Sequence, residues 1–335
     1  MALLGTTALS VGYRKGNLVT TILSGLDLEL KCGTVVALVG ANGIGKSTLL
    51  RTITGDQPSL SGTVLIDGTP IHEIGRKQMS LLMSIVTTER THTGGLTVRE
   101  LVSLGRQPYT GFLGILDRND RRVINEAMKA AGISHKAHSY VAELSDGERQ
   151  KAMIAKALAQ ETPIIILDEP TAFLDVESRM ETMLLLYRLA HDRNKAVLLS
   201  SHDLSQSMML ADELWLVTHD RRLLTGCTED LALSGAMDSI FSSENVRFDL
   251  LQGDFCINIT PRKRVNLICE DKTLRRWIVN ALNRNDYAVD EEGRSAVTID
   301  ATSRYGTISI VGTSKTYTVH TISQLISFLT PNSPY

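Results

Sequence analysis

The run Gly40-Ala41-Asn42-Gly43-Ile44-Gly45-Lys46-Ser47, followed by Thr48, has the spacing G-x-x-x-x-G-K-S. Such a loop can cradle phosphates. Its glycines let backbone N–H groups turn inward, and a helix starting there adds partial positive charge. In that chemistry the backbone of Gly40, Asn42, Gly43 and Gly45 lines the phosphates. Lys46 would reach the β- and γ-phosphates, and the Ser47 hydroxyl would ligate Mg²⁺.

A second chemical pair follows Ile164-Ile165-Ile166-Leu167, which reads as a buried parallel strand. Asp168 and Glu169 fall at its carboxyl end, where open α/β sheets bind ligands. Asp168 would hold Mg²⁺, and Glu169 would polarise an attacking water as general base. The plain alternative is a solvated acidic strand end. His202 follows another apolar run, Ala196-Val197-Leu198-Leu199-Ser200, and could meet a γ-phosphate or the attacking water. A lone histidine can equally be structural. In Leu144-Ser145-Asp146-Gly147-Glu148, Ser145 and Glu148 form a capping box that any helix can use. The same exposed helix start could hold an anion at Ser145 and Gly147. Tyr13 offers a flat ring upstream of the phosphate loop, for stacking on adenine or for packing on its own sheet.

These residues need elements to position them. Thr34 to Val39 is an apolar, β-branched run leading into the phosphate loop, and Ser47 to Thr54 can run as a helix closed by Gly55. Residues 7 to 36 alternate short apolar segments with turns, as an antiparallel layer does. Gly62 to Ile66, closed by Asp67-Gly68, and Met83 to Thr87 read as further strands. From about residue 90 the pattern turns helical. Thr97 and Glu100 make a capping box, and residues 119 to 132 form a helix ended by Gly132. This places a helical subdomain at about residues 90–160 within an α/β domain spanning 1–260. Glu213 to Val217 and Arg222 to Leu224 read as a hairpin. Residues 261–335 read as a separate small α+β domain. It has a strand at Arg264 to Cys269 and a helix capped by Asp271 with Leu274, Trp277, Ile278, Ala281 and Leu282 on one apolar face. Period-2 segments and a closing helix at Leu325, Ile326 and Leu329 follow.

The 335 residues are 43% hydrophobic with a net charge of −2, so no global field attracts nucleic acid or an anionic membrane. No apolar run reaches the roughly 18 residues of a membrane span, and the start lacks the basic region of a signal peptide. Cys32, Cys227, Cys256 and Cys269 form no zinc pattern and read as reduced thiols.

The order phosphate loop, helical insert, LSDGE, IIILDEP, LD and SHD resembles the nucleotide-binding subunit of ATP-binding-cassette (ABC) transporters, over about residues 5 to 255. The resemblance implies an ABC-type P-loop core. In it Tyr13 stacks on adenine, Gly40 to Ser47 is the Walker A loop with Thr48 also near phosphate, and Leu144 to Glu148 is the signature. Asp168 and Glu169 become the Walker B pair, Asp175 the D-loop aspartate and His202 the switch histidine. The stretches Leu96 to Tyr109 and Glu169 to Asp175 look like importers of iron-siderophores, haem or cobalamin. Two departures stand out. Thr87-Thr88-Glu89-Arg90 lies where the family carries a glutamine, which leaves Glu89 or Thr88 as its substitute near the metal, and Asp146 stands where a second glycine is commoner. The family further implies ATP and Mg²⁺, a homodimer that encloses ATP between one chain's loop and the other's signature, and no nucleic-acid partner. It also implies a polytopic transmembrane permease, an extracytoplasmic substrate-binding protein and a place on the cytoplasmic side of the inner membrane. Tyr109, Phe112, Leu113 and Leu116 would form part of the docking face or pack under the insert. The rival readings are a soluble ABC ATPase acting on ribosomes or DNA, and a regulatory one whose C-terminal domain senses a ligand.

Overall fold

The computed structural model describes residues 2–87, 95–111, 114–243, 245–250, 252–257, 261–290, 292–301, 306–312 and 315–329. In chain order the first elements are β1 (Ala2–Lys15), β2 (Leu18–Leu26), β3 (Glu29–Lys31), β4 (Val35–Val39), α1 (Lys46–Ile53), β5 (Ser61–Ile66) and β6 (Thr69–Pro70). Next come α2 (Arg76–Leu82), β7 (Met83–Val86), α3 (Val98–Ser103), α4 (Arg118–Ala130), α5 (Asp146–Ala159), β8 (Ile164–Leu167) and α6 (Val176–His191). Then follow β9 (Ala196–Ser201), α7 (Leu204–Leu210), β10 (Glu213–Val217), β11 (Leu223–Cys227), α8 (Thr228–Leu233), β12 (Val246–Asp249) and β13 (Asp254–Ile257). The chain closes with β14 (Lys263–Ile268), α9 (Lys272–Arg284), β15 (Tyr287–Val289), β16 (Thr298–Ala301), β17 (Ile308–Val311), β18 (Thr316–Val319) and α10 (Ile322–Leu329). The chain divides into two compact units, Met1–Ser243 with Phe248–Phe255, and Glu244–Arg247 with Cys256–Tyr335.

In the first unit a six-stranded sheet runs β11-β10-β4-β9-β8-β7. It is parallel except for the edge strand β11. Its central strands are buried throughout, because both faces are covered. Alternation divides their side chains. Ala37, Ile165, Leu167, Val197 and Leu199 join one apolar cluster with the helices, whereas Leu38, Ile164, Ile166 and Leu198 join another with the antiparallel layer. That layer runs β2-β1-β5-β6, with β3 also on β1. Asp67 and Gly68 both have positive φ, as the two-residue turn from β5 to β6 demands.

Capping boxes start α3 at Thr97, α4 at Asp117 and α5 at Ser145. Between these helices Arg106 is buried. It donates from Nε to Asp120 Oδ1 (2.8 Å), and from Nη1 to Glu161 Oε2 (2.6 Å) and Ala159 O (2.8 Å). Burial alone would raise the Asp120 carboxyl, but the bonds from Arg106 and the Asp117 backbone hold it below its usual range. Its folded-state value is therefore depressed, so its contribution is present above the unfolded value and lost as pH falls through the folded one. Asp120→Ala leaves a buried guanidinium short of one partner and should cost about 3 kcal/mol in urea unfolding at neutral pH. The gap to wild type should narrow as pH falls through the carboxylate range.

In the second unit the sheet order is β15-β14-β16-β17-β18. β14 is parallel to β15 and β16, and the other pairs are antiparallel. Leu274, Ile278 and Leu282 of α9 and Leu325 and Leu329 of α10 pack on Val265, Ile299 and Ile310. The helical stripe is thus as expected except for Trp277, which is 61% exposed. Ile278, the next residue on the same stripe, is buried in the core as expected. Among the described residues no helix is long and apolar enough to cross a membrane.

Candidate nucleotide site

Lys46 begins α1 directly after the glycine-rich turn and is only 5% exposed. Its ammonium donates to Gly40 O (2.8 Å) and Ala41 O (3.2 Å), so it lies curled inside its own loop. Burial lowers its pKa, while the charges of Glu169 and Asp168 push it back up. The loop needs its glycines. Gly45 has φ 124°, and a Cβ there would come 2.3 Å from Ile22 Cγ2. Gly40 has φ 155°, with a Cβ position 2.9 Å from the Val217 carbonyl. Tyr13 and Thr48 share a hydroxyl hydrogen bond of 2.6 Å, which anchors the half-exposed Tyr13 ring beside the first turn of α1.

The acids stand at the carboxyl end of β8. The Asp168 N–H donates to Val86 O of β7 (2.9 Å). Ser200, fully buried near the end of β9, joins both acids through one hydroxyl. It donates to Asp168 Oδ1 (2.6 Å) and accepts from the Glu169 N–H (2.8 Å). Glu169 has φ 46°, a left-handed backbone uncommon for a non-glycine residue, and the Ser200 bond supports it. His202 Nδ1 lies 3.3 Å from Glu169 Oε2. The structure therefore gathers Lys46, Asp168, Glu169 and His202 at the ends of β4, β8 and β9. The sequence reading missed Ser200, whose one signal was a hydroxyl closing an otherwise apolar strand.

Ser47, Thr87 and Asp168 line one cavity of about 370 Å³, together with Arg51 and Asp56. Hydroxyl and carboxylate oxygens suit Mg²⁺, which takes one or two protein carboxylates and fills its shell with water and phosphate oxygens. Among the described residues no cluster of three or more His, Cys, Asp or Glu could cage a metal without such help. Glu89 and Thr88 lie outside the described residues.

Ser145 and Gly147 sit apart from these strand ends, at the start of α5. Ser145 exchanges hydrogen bonds with Glu148, which also pairs with Lys136 at 3.1 Å. A Cβ on Gly147 would lie 2.6 Å from Ser178 Oγ of α6. Asp175 caps α6, accepting from the Ser178 N–H (2.8 Å) and hydroxyl (3.1 Å). The backbone bond holds its carboxyl below the usual range. Of the suggested docking residues, Phe112 and Leu113 lie outside the described residues. Leu116 is partly buried against the main apolar cluster. Tyr109 stays partly exposed, with Arg106 3.9 Å over its ring and its hydroxyl donating to Gln160 O at 2.9 Å.

Residues 23–172 match the family described as ABC transporter, and residues 262–330 match the iron ABC transporter C-terminal domain. An uncharacterized ABC transporter ATP-binding protein of Methanocaldococcus jannaschii is 36% identical over 292 residues, covering 86% of this chain and 99% of the relative. The iron(3+)-hydroxamate import ATP-binding protein of Bacillus subtilis is 38% identical over 204 residues, covering 61% of this chain and 74% of the relative. A solved dimeric bacterial ABC transporter cassette is similar at a TM-score of 0.58 and 25% identity, over 67% of this chain and 98% of that one. The chain belongs to the ABC transporter ATP-binding proteins and is an ATP hydrolase of that family.

Proposed function

We propose that this chain is the motor of an importer for an iron-siderophore, haem or cobalamin cargo, and that two copies close around ATP to drive a transmembrane permease. The observation that carries the reading is the gathering of Lys46, Asp168, Glu169 and His202 at the ends of three parallel strands. Lys46 and the loop amides from Gly40 to Thr48 take the β- and γ-phosphates, and Tyr13 takes the adenine face. Ser47 and Asp168 would hold Mg²⁺, with Glu89 or Thr88 as a further contact. When bound, the ion neutralises charge on the β- and γ-phosphate oxygens. Glu169 accepts a proton as water oxygen bonds to the γ-phosphorus and the bond to the β-phosphate oxygen breaks. His202 fixes the carboxylate that takes this proton.

One chain carries one phosphate loop and one signature, and Ser145 and Gly147 stand on α5 rather than at the strand ends. A second copy would supply its signature, with Asp175 beside it, to finish each site. The solved dimeric cassette supports this arrangement. The import relative and the iron-transporter C-terminal domain support an iron-chelate cargo, and the proposal adds a membrane permease, a partner that delivers cargo from outside and a place at the cytoplasmic membrane face. Co-purification of the tagged chain with a polytopic membrane protein tests the transport assignment, and recovery with ribosomes or DNA instead would overturn it.

Ser200 gives a separate prediction. Its hydroxyl binds both acids, and a hydrogen bond to a charged group contributes about 1.5–3 kcal/mol. Ser200→Ala should lower kcat about tenfold or more while ATP affinity changes by less than about threefold. Steady-state ATPase assays beside nucleotide titrations separate the two quantities.

A further inference from the structure

The second unit holds a cavity of about 360 Å³ that nothing in the nucleotide chemistry uses. Its place in the sheet suggests what it is for. β14 lies between β15 and β16, all three parallel, and the chain leaves β14 toward β15 but leaves β16 in the opposite direction, toward β17. Crevices at the carboxyl ends of strands around such a switch point are where open α/β sheets bind ligands. The cavity lies at that end. Thr273, Leu274 and Trp277 come from the helix that follows β14, and Ile308, His320 and Thr321 complete most of the wall.

The lining says what would fit. Leu274 and Ile308 are part of the unit's apolar core and make a greasy floor. Trp277 lies one turn beyond Leu274 on α9 and lines this cavity, yet the residue is 61% exposed although the helical spacing marks it for the core. An indole placed this way offers a π-face to a flat ring. Thr273, Thr321 and His320 supply hydrogen-bonding groups, and no Asp, Glu, Lys or Arg side chain is among the described lining residues. The volume lies within the range of small-molecule sites.

We propose that this cavity is a receptor site for a small, neutral, planar aromatic molecule with a polar edge, of the phenol or nucleobase type, stacked on Trp277. The site makes the C-terminal unit a small-molecule binder in its own right, independent of the ATP chemistry.

The test is calorimetric titration of the full, nucleotide-free chain with catechol, with adenine, and with trans-1,2-cyclohexanediol, which keeps two hydroxyls but has no π-face. At least one aromatic should bind with a Kd of about 1 mM or tighter, a reach open to eight to ten heavy atoms, and the diol should not. Binding of catechol only or adenine only identifies the edge chemistry. Trp277→Leu should weaken binding about tenfold, and Trp277→Phe should keep most of it. The exposed position predicts that both variants melt and hydrolyse ATP as wild type does. The proposal is overturned if neither aromatic binds, if the diol binds equally well, or if Trp277→Leu binds as wild type does. That last result would place adenine elsewhere, for example beside Tyr13, and would leave the nucleotide assignment untouched.

Discussion

Glu169→Gln is expected to bind ATP as wild type does and to hydrolyse it at least about 10²-fold more slowly, the usual size of a lost general base. The amide keeps the shape of the side chain and can still meet His202, 3.3 Å away in the wild type, but it cannot accept the proton of the attacking water. The bond from the Glu169 N–H to Ser200 belongs to the backbone, so the unusual φ of this residue should survive the change. Affinity and turnover therefore separate in this variant. A rate within a few fold of wild type would remove Glu169 from the base role and leave it as an acidic strand end.

Lys46→Ala should lose ATP affinity by about 10²-fold or more. Hydrogen bonds to charged groups contribute about 1.5–3 kcal/mol each, and this ammonium brings several donors to the phosphate path. The side chain also donates to the Gly40 and Ala41 carbonyls, so part of any loss could reflect a loosened loop. Thermal unfolding of the ligand-free variant checks this, since two neutral-acceptor bonds should cost about 1 kcal/mol each. Lys46→Met, which keeps the buried stem, should bind ATP as poorly as the alanine variant. Unchanged ATP binding in either one would refute the phosphate-loop assignment.

The parts of the fold written in local pattern were legible in the sequence. The apolar run into β4, the glycines that follow and Gly55 after α1 define a strand–loop–helix without any knowledge of neighbours. The same holds for β8 and its acids, and for the capping boxes at Thr97 and Ser145, whereas the box at Asp117 was found only in the structure. What depended on distant partners was not legible. Ser200 meets Asp168 and Glu169 across 32 and 31 residues of chain, and alone it looked like the polar end of a strand. Arg106 draws its partners from Asp120, Ala159 and Glu161, on two later stretches, and no short window shows them together. The helix α6 escaped notice because Val176, Met180 and Leu184 are exposed while Met183, Leu186 and Leu189 are buried, which blurs the apolar stripe. Trp277 failed in the opposite sense: its spacing fits the core, but the core of the second unit is filled without it.

Enclosure of ATP by two copies of this chain is the step that the slow-turnover variant isolates. Light scattering on Glu169→Gln, at one fixed dilution with and without Mg-ATP, reads it directly. The expected mass is the 36.7 kDa of a single chain without nucleotide and twice that with it. A variant that binds ATP and still scatters as one chain at that dilution would contradict that enclosure.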